Sequence, residues 1–171
     1  MSQSYPSSTE FVIAEKQGPV LTLTLNRPDA LNALRPEMLT ALADLLALAG
    51  QDESLAVVVL AGAGRAFSAG VDLKVLQGIE PVGGVIGTVF DEPAQRMSQT
   101  IRDLPLPVIA RVHGACFTGA LEIALHCDFI YTTTDTKFGD THTKFGLRPT
   151  WGMAQTLSRA VGVRRARELS F

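Results

Sequence analysis

From Val20 to Leu25 apolar and polar residues alternate, Leu21, Leu23 and Leu25 against Thr22 and Thr24. This period of two predicts a strand with one face in a core and the other half wet. Phe11 to Glu15 reads as its partner across a turn at Gln17-Gly18-Pro19. The period then lengthens. Behind Pro36, a residue suited to a first helical position, Met38, Leu39, Leu42, Leu45, Leu46 and Ala49 recur at helical spacing until Gly50, which predicts a helix packed on the sheet. Continuous apolar runs at Ala56 to Ala61 and Val108 to Val112 read as buried strands. Further helices are predicted over Val71 to Leu76, over Asp91 to Asp103 with Pro93 in its first turn, and over Gly119 to His126; Leu104-Pro105-Leu106-Pro107 ends the second of these. Phe129-Ile130-Tyr131 reads as another strand, Thr150 to Ala160 and Val163 to Leu169 as closing helices, and Gly78 to Thr88, without a clear period, as a mobile loop. Strand-strand-helix units thus recur without a strict sequence repeat, and the fold class is α/β.

Composition narrows the function classes. The chain has 171 residues, 46% of them hydrophobic, enough for one substantial core and one domain over 11–171. Residues 1–10 are rich in Ser and lack both a basic n-region and an apolar h-region, so they read as a flexible tail and not as a signal peptide. A net charge of -2 and a pI near 5.9 give no broad basic surface, which excludes a nucleic-acid partner. No apolar run is long enough to span a bilayer, so no membrane partner is expected. Cys116 and Cys127 form neither a disulfide framework nor a metal-ligand cluster; reduced, buried thiols and a cytoplasmic location are the expectation. His113, His126 and His142 lack H-E-x-x-H spacing, and there is no G-x-S-x-G stretch, so neither a zinc enzyme nor a serine hydrolase is indicated. Ala61-Gly62-Ala63-Gly64-Arg65-Ala66-Phe67 superficially suggests a dinucleotide-binding turn with Glu80 as ribose acid, but Phe67 stands where the third glycine belongs.

The chemistry concentrates in two stretches, Ala66 to Lys74 and Val112 to Glu122. Each follows a predicted buried strand and passes through small residues towards a helix. Small residues let a ligand approach the backbone, and N–H groups at such turns can converge on one negatively charged oxygen, the geometry of an oxyanion hole. The alternative is a pair of ordinary tight turns whose glycines serve packing. Glu122 falls in the first turn of its helix, either for acid/base work or because a carboxylate there suits the helix dipole. Trp151 either walls a pocket or fills core.

Ala66-Phe67-Ser68-Ala69-Gly70-Val71-Asp72-Leu73-Lys74 resembles the first signature of the crotonase superfamily, the enoyl-CoA hydratase/isomerase family, and Gly114 to Asp128 resembles its second. Asn26-Arg27-Pro28-Asp29-Ala30-Leu31-Asn32-Ala33-Leu34 is similar to the family's early segment. The resemblance runs from about Val20 to Gly162. It implies a crotonase-like spiral of ββα units with C-terminal helices, of which the family has more than this sequence carries, and assembly into homotrimers or hexamers. It also implies an acyl-CoA thioester as substrate, with no separate cofactor and no metal. The backbone N–H groups of Val71 and Gly119 would be the oxyanion donors, and Glu122 the first of the family's two catalytic glutamates. His142, within Asp140-Thr141-His142-Thr143-Lys144, stands where the second is usual. It is either a base near neutral pH or a histidine that only lines the pocket. Coenzyme A would lie near Asp29, Ala30, Leu31 and Ala33 at its adenine end, and along Ser68, Ala69, Gly70, Asp72, Leu73 and Lys74 at its thioester end. Arg27, Lys74, Arg159, Arg164, Arg165 and Arg167 are either phosphate partners or solvated surface charges. The loop over Gly78 to Thr88 is expected to vary with the acyl group. The implied reaction is hydration of a trans-2-enoyl-CoA through a stabilised thioester enolate. The alternatives are another reaction of the family such as double-bond isomerisation, or acyl-CoA binding without catalysis.

Overall fold

The computed structural model describes residues 2–171, with side chains from Tyr5 onward. Its large sheet has six strands in the order β1 (Ser2–Ser4), β2 (Val12–Gln17), β3 (Val20–Leu25), β4 (Val57–Gly62), β5 (Val108–Val112) and β7 (Phe129–Thr132). The first three run antiparallel, and β3 through β7 are parallel. Parallel neighbours require long crossovers. Here each crossover passes through a second, smaller layer, in which Leu34 pairs beside Val71, Ser68 beside Cys116, and β6 (Ala115–Phe117) beside β8 (Lys137–Gly139), all parallel.

The chain therefore winds as a ββα spiral, as the resemblance implies. The first lap is β3, the extended segment at Leu34, then α1 (Pro36–Ala49). The second is β4, Ser68 to Val71, then α2 (Leu73–Leu76) and α3 (Thr88–Asp103). The third is β5, β6 and α4 (Gly119–His126); the fourth is β7, β8 and a 3₁₀ turn over His142–Phe145. The helices α5 (Met153–Val161) and α6 (Val163–Ser170) follow. Because successive laps stack in register, Val71, Gly119 and His142 fall at or just past the small layer on three consecutive laps.

Packing explains why these elements form. Met38, Leu39, Leu42, Leu45, Leu46 and Ala49 on α1 are all buried, and α1 packs against α3, whose Phe90, Ala94, Met97 and Ile101 make a second buried stripe. Leu23, Val58, Leu60 and Val108 meet both helices from the sheet. Each such large aliphatic side chain removed from water is worth roughly 1.5–3 kcal/mol.

Three expectations change. Of the stretch 1–10, expected to be a flexible tail, Met1 lies outside the described residues, Ser2–Ser4 pairs with Glu15 to Gln17, and the Tyr5 N–H donates to the Ala14 carbonyl at 3.0 Å. The helix α3 starts at Thr88, ahead of the expected Asp91, because Phe90 and Asp91 are drawn into the interior; Pro93 thus lies inside the helix. Residues 78–87 hold neither helix nor strand, as expected, but they are tied by a bridge between Val82 and Val85. Among the described residues no helix is long and apolar enough to cross a membrane.

Candidate active site

Val71, Gly119, Glu122 and His142 line one narrow cavity. The geometry of each turn explains how its amide reaches that space. Leu34 is bonded on both sides of Val71, donating to the Gly70 carbonyl at 2.8 Å and accepting from the Asp72 N–H at 2.8 Å. In an extended segment alternate amides face opposite ways, so the Val71 N–H turns away from Leu34, and no main-chain oxygen among the described residues accepts it. Gly119 is the first residue of α4, and a helix cannot satisfy its own first amides. Its N–H likewise finds no main-chain acceptor among the described residues. Ahead of it Thr118 sits at φ 52°, ψ −117°, a conformation a β-branched residue rarely adopts. Two contacts hold it there: its N–H donates to the Gly139 carbonyl at 2.8 Å, and its hydroxyl bonds that of Thr141.

Glu122 follows Gly119 by three residues, hence on the same face of α4, and is 1% exposed. Its Oε1 accepts from the N–H groups of Trp151 and Met153, each at 3.0 Å. Its Oε2 lies 3.6 Å from His142 Nε2. Burial pushes the carboxyl up to about 7, although the two amides and the neighbouring His142 favour the anion. Asp140 Oδ1 meets His142 Nδ1 at 2.6 Å and accepts the His142 N–H at 3.1 Å. Burial would raise the Asp140 carboxyl, but these hydrogen bonds and one from the Ser170 hydroxyl hold it below the usual carboxylate range. Asp140 thus holds the Nδ1 side of the imidazole, and Nε2 faces Glu122.

Trp151 joins the two halves of this arrangement. Besides donating its N–H to Glu122, it donates its indole N–H to Asp91 Oδ1 at 3.0 Å, and its carbonyl accepts from His126 Nε2 at 2.6 Å. Its ring lies over Gly119 so closely that a Cβ there would come within 2.6 Å of Cζ3. Of the two readings open for Trp151, both hold: it is 5% exposed and it walls the cavity.

The two segments expected along coenzyme A are joined by one main-chain hydrogen bond. The Ala69 N–H donates to the Leu31 carbonyl at 2.9 Å, which zips the early segment to the first signature. Asp29 and Ala30 border an open groove that shares no lining residue with the cavity of Glu122 and His142. Several side chains in these segments are already committed within the protein. Ser68 Oγ accepts from the Gly70 N–H at 3.2 Å, and Asp72 caps α2 while pairing with Arg27 at 2.9 Å. Arg27 also donates to the Ala33 carbonyl and covers the Phe11 ring, so it is not a free phosphate partner. Leu73 and Lys74 are exposed.

Sequence reasoning did not single out Asp140, Asp91 or Arg148. Asp140 had a local signal, since an aspartate two residues before an amide it can accept is an Asx turn. Asp91 had none, because its partner Trp151 is distant in the chain. Among the described residues no group of three or more His, Cys, Asp or Glu side chains is placed to hold a metal ion.

The sequence profile of the family described as Enoyl-CoA hydratase/isomerase matches residues 15–171. The chain is 37% identical over 158 residues to a probable enoyl-CoA hydratase 1, peroxisomal, of Arabidopsis thaliana, covering 92% of this chain and 57% of that one. It is 33% identical to the 1,2-epoxyphenylacetyl-CoA isomerase of Escherichia coli, covering 94% of this chain and 62% of the relative. An enoyl-CoA hydratase structure from Bacillus anthracis superposes with a TM-score of 0.86 at 31% identity, over 94% of this chain and 62% of that one. The chain thus spans less than two thirds of the length of the proteins it matches.

Proposed function

Because the chain belongs to the enoyl-CoA hydratase/isomerase family, we propose that it hydrates a trans-2-enoyl-CoA to a 3-hydroxyacyl-CoA. The observation that carries this reading is the convergence of Val71, Gly119, Glu122 and His142 on one cavity. Coenzyme A lies along Ser68 to Lys74 and towards Asp29, Ala30, Leu31 and Ala33. There its contacts are largely to main chain, since Ser68 and Asp72 are occupied internally.

In this mechanism the thioester oxygen accepts from the Val71 and Gly119 amides. Each donor stabilises charge that appears only as the enolate forms, and one such donor is typically worth about 10²–10³ in rate. A water beside Glu122 Oε2 and His142 Nε2 gives a proton to Nε2 while its oxygen bonds to C3. The imidazolium so formed is stabilised by Asp140. The protonated carboxyl of Glu122 delivers its proton to C2, and the imidazolium then returns a proton to the Glu122 carboxylate, restoring the starting state. A carboxyl near pH 7 suits this exchange, because giving and regaining the proton are nearly balanced. Isomerisation is the weaker reading, since His142 replaces the second acid on which the family resemblance makes that reaction depend.

Exposed Phe129 and Tyr131 on the outer strand β7 support assembly into a homotrimer or hexamer, and the two free cysteines suit a cytoplasmic location. The activity test compares wild type with Glu122→Gln and His142→Ala on crotonyl-CoA and on a 3-enoyl-CoA. Hydration of crotonyl-CoA should fall about 10²–10⁴-fold in Glu122→Gln. Unchanged turnover in both variants would refute the assigned roles, and thioester binding without turnover by wild type would identify a non-catalytic binder.

A further inference from the structure

We infer that the acyl end of this cavity selects a chain ending in a carboxylate, with Arg148 as its partner; the inference rests on the thioester reading of the site. Arg148, an exposed residue, lines the cavity beside the apolar Ile86 and Leu147, in company with Thr118, Thr150, Glu122 and His142. Arg27, Arg35, Arg96 and Arg165 each pair with a carboxylate at 2.6–2.9 Å. Arg148 does not: among the described residues its guanidinium makes neither an ion pair nor a hydrogen bond with the protein, which holds also for Arg65, Arg111, Arg159, Arg164 and Arg167, and of these six only Arg148 lines the cavity.

Its stem is nonetheless held. The Arg148 N–H donates to the Gly84 carbonyl at 2.8 Å. A Cβ built on Gly84, at φ +81°, would approach Arg148 Cγ to 3.0 Å and Cδ to 3.3 Å, so the aliphatic stem lies against that glycine. The loop over residues 78–87 thereby fixes the root of the cation at the rim while Ile86 supplies apolar wall beside it. A planar guanidinium suits a carboxylate because it offers two parallel N–H bonds. A neutral alkyl end placed there satisfies none of them, so the same group that attracts one class of chain discriminates against the other. Phosphate groups of coenzyme A offer the same anionic chemistry, and they are common to every thioester of this class.

The test is calorimetric titration of the full chain with glutaryl-CoA and with pentanoyl-CoA, which match in chain length and carry no double bond to hydrate. Wild type should bind glutaryl-CoA about ten- to a hundredfold more tightly. Arg148→Gln should abolish that preference, and Arg148→Lys, which keeps the charge without the fork, should retain part of it. Equal affinities in wild type overturn the inference, as does an equal loss of both ligands in Arg148→Gln, the mark of a phosphate contact. Crotonyl-CoA hydration is followed in parallel. A glutaryl preference that depends on Arg148 in a protein without turnover would discard the hydratase reading and leave the acyl selectivity standing.

Discussion

The two turns that present the amides both contain a glycine, for different physical reasons. At Gly70 the backbone itself requires it: φ is +96°, and a Cβ would come within 2.9 Å of the Phe117 carbonyl oxygen. At Gly119 the requirement comes from outside the turn, from the Trp151 ring, while the unusual backbone angle has moved to Thr118. The first turn supplies only an amide. The second supplies an amide and, three residues on, the carboxyl of Glu122, with Trp151 in contact with both. Disturbing the first turn should therefore act through stability and oxyanion binding, whereas disturbing the second should reach the proton transfers as well.

The largest separation should come from Gly119→Ala. The added methyl displaces the indole, and with it the amide that holds Glu122, so kcat on crotonyl-CoA should fall by at least about 10²–10³. Trp151 is the sole tryptophan, so its emission should shift in the same variant. Wild-type kinetics with unshifted emission would erase the distinction between the turns. Gly70→Ala should act mainly on folding. A left-handed alanine pressed on a carbonyl destabilises by on the order of 1–3 kcal/mol, read as a lowered urea midpoint at unchanged slope.

The smallest effect should be a difference in the sign of the pH dependence. In the second turn the Glu122 carboxyl is raised from 4.5 to about 7. Its contribution is complete below about pH 4.5 and is lost as pH rises through 7, because the folded state holds the proton that the unfolded state has released. Glu122→Gln should thus gain stability relative to wild type between those limits, by a few kcal/mol at most. In the first turn Asp72 behaves oppositely. Burial works against its anion, but the Lys74 N–H and the Arg27 guanidinium hold its carboxyl below the ordinary 3.8. Its contribution is present above that value and is lost as pH falls through the depressed one, so the cost of Asp72→Asn should vanish in acid. Chemical denaturation of the three proteins across pH would reveal whether the signs differ.

What could be read from the chain and what could not divides along the range of the interactions. The periodic run behind Pro36 predicts α1 to its final residue, Ala49, and Val108–Val112 and Gly119–His126 are bounded as expected, because each depends on its own residues and on one buried face. Strands β6 and β8 have three residues each, too few to show a period, and they are held by pairing with each other and, for β6, with Ser68 on its far side. The start of α3 departs from expectation for a related reason: Pro93 suggests a first turn, and the burial of Phe90 and Asp91 pulls the helix back to Thr88. At the site, the stretches around Val71, Gly119 and Glu122 carried local signatures. The grip of Asp91 and His126 on Trp151 joins residues far apart in sequence, and no pattern along the chain announces it.

The winding of the chain has a consequence for how such a protein can change its chemistry. The last three circuits deliver their groups to the same level: an amide on the second, an amide with an acid on the third, an imidazole on the fourth. A replacement at His142 leaves untouched the circuits that bear the two amides, so, on the proposed mechanism, reactivity can be retuned at one rung while the cradle for the activated carbonyl is inherited whole.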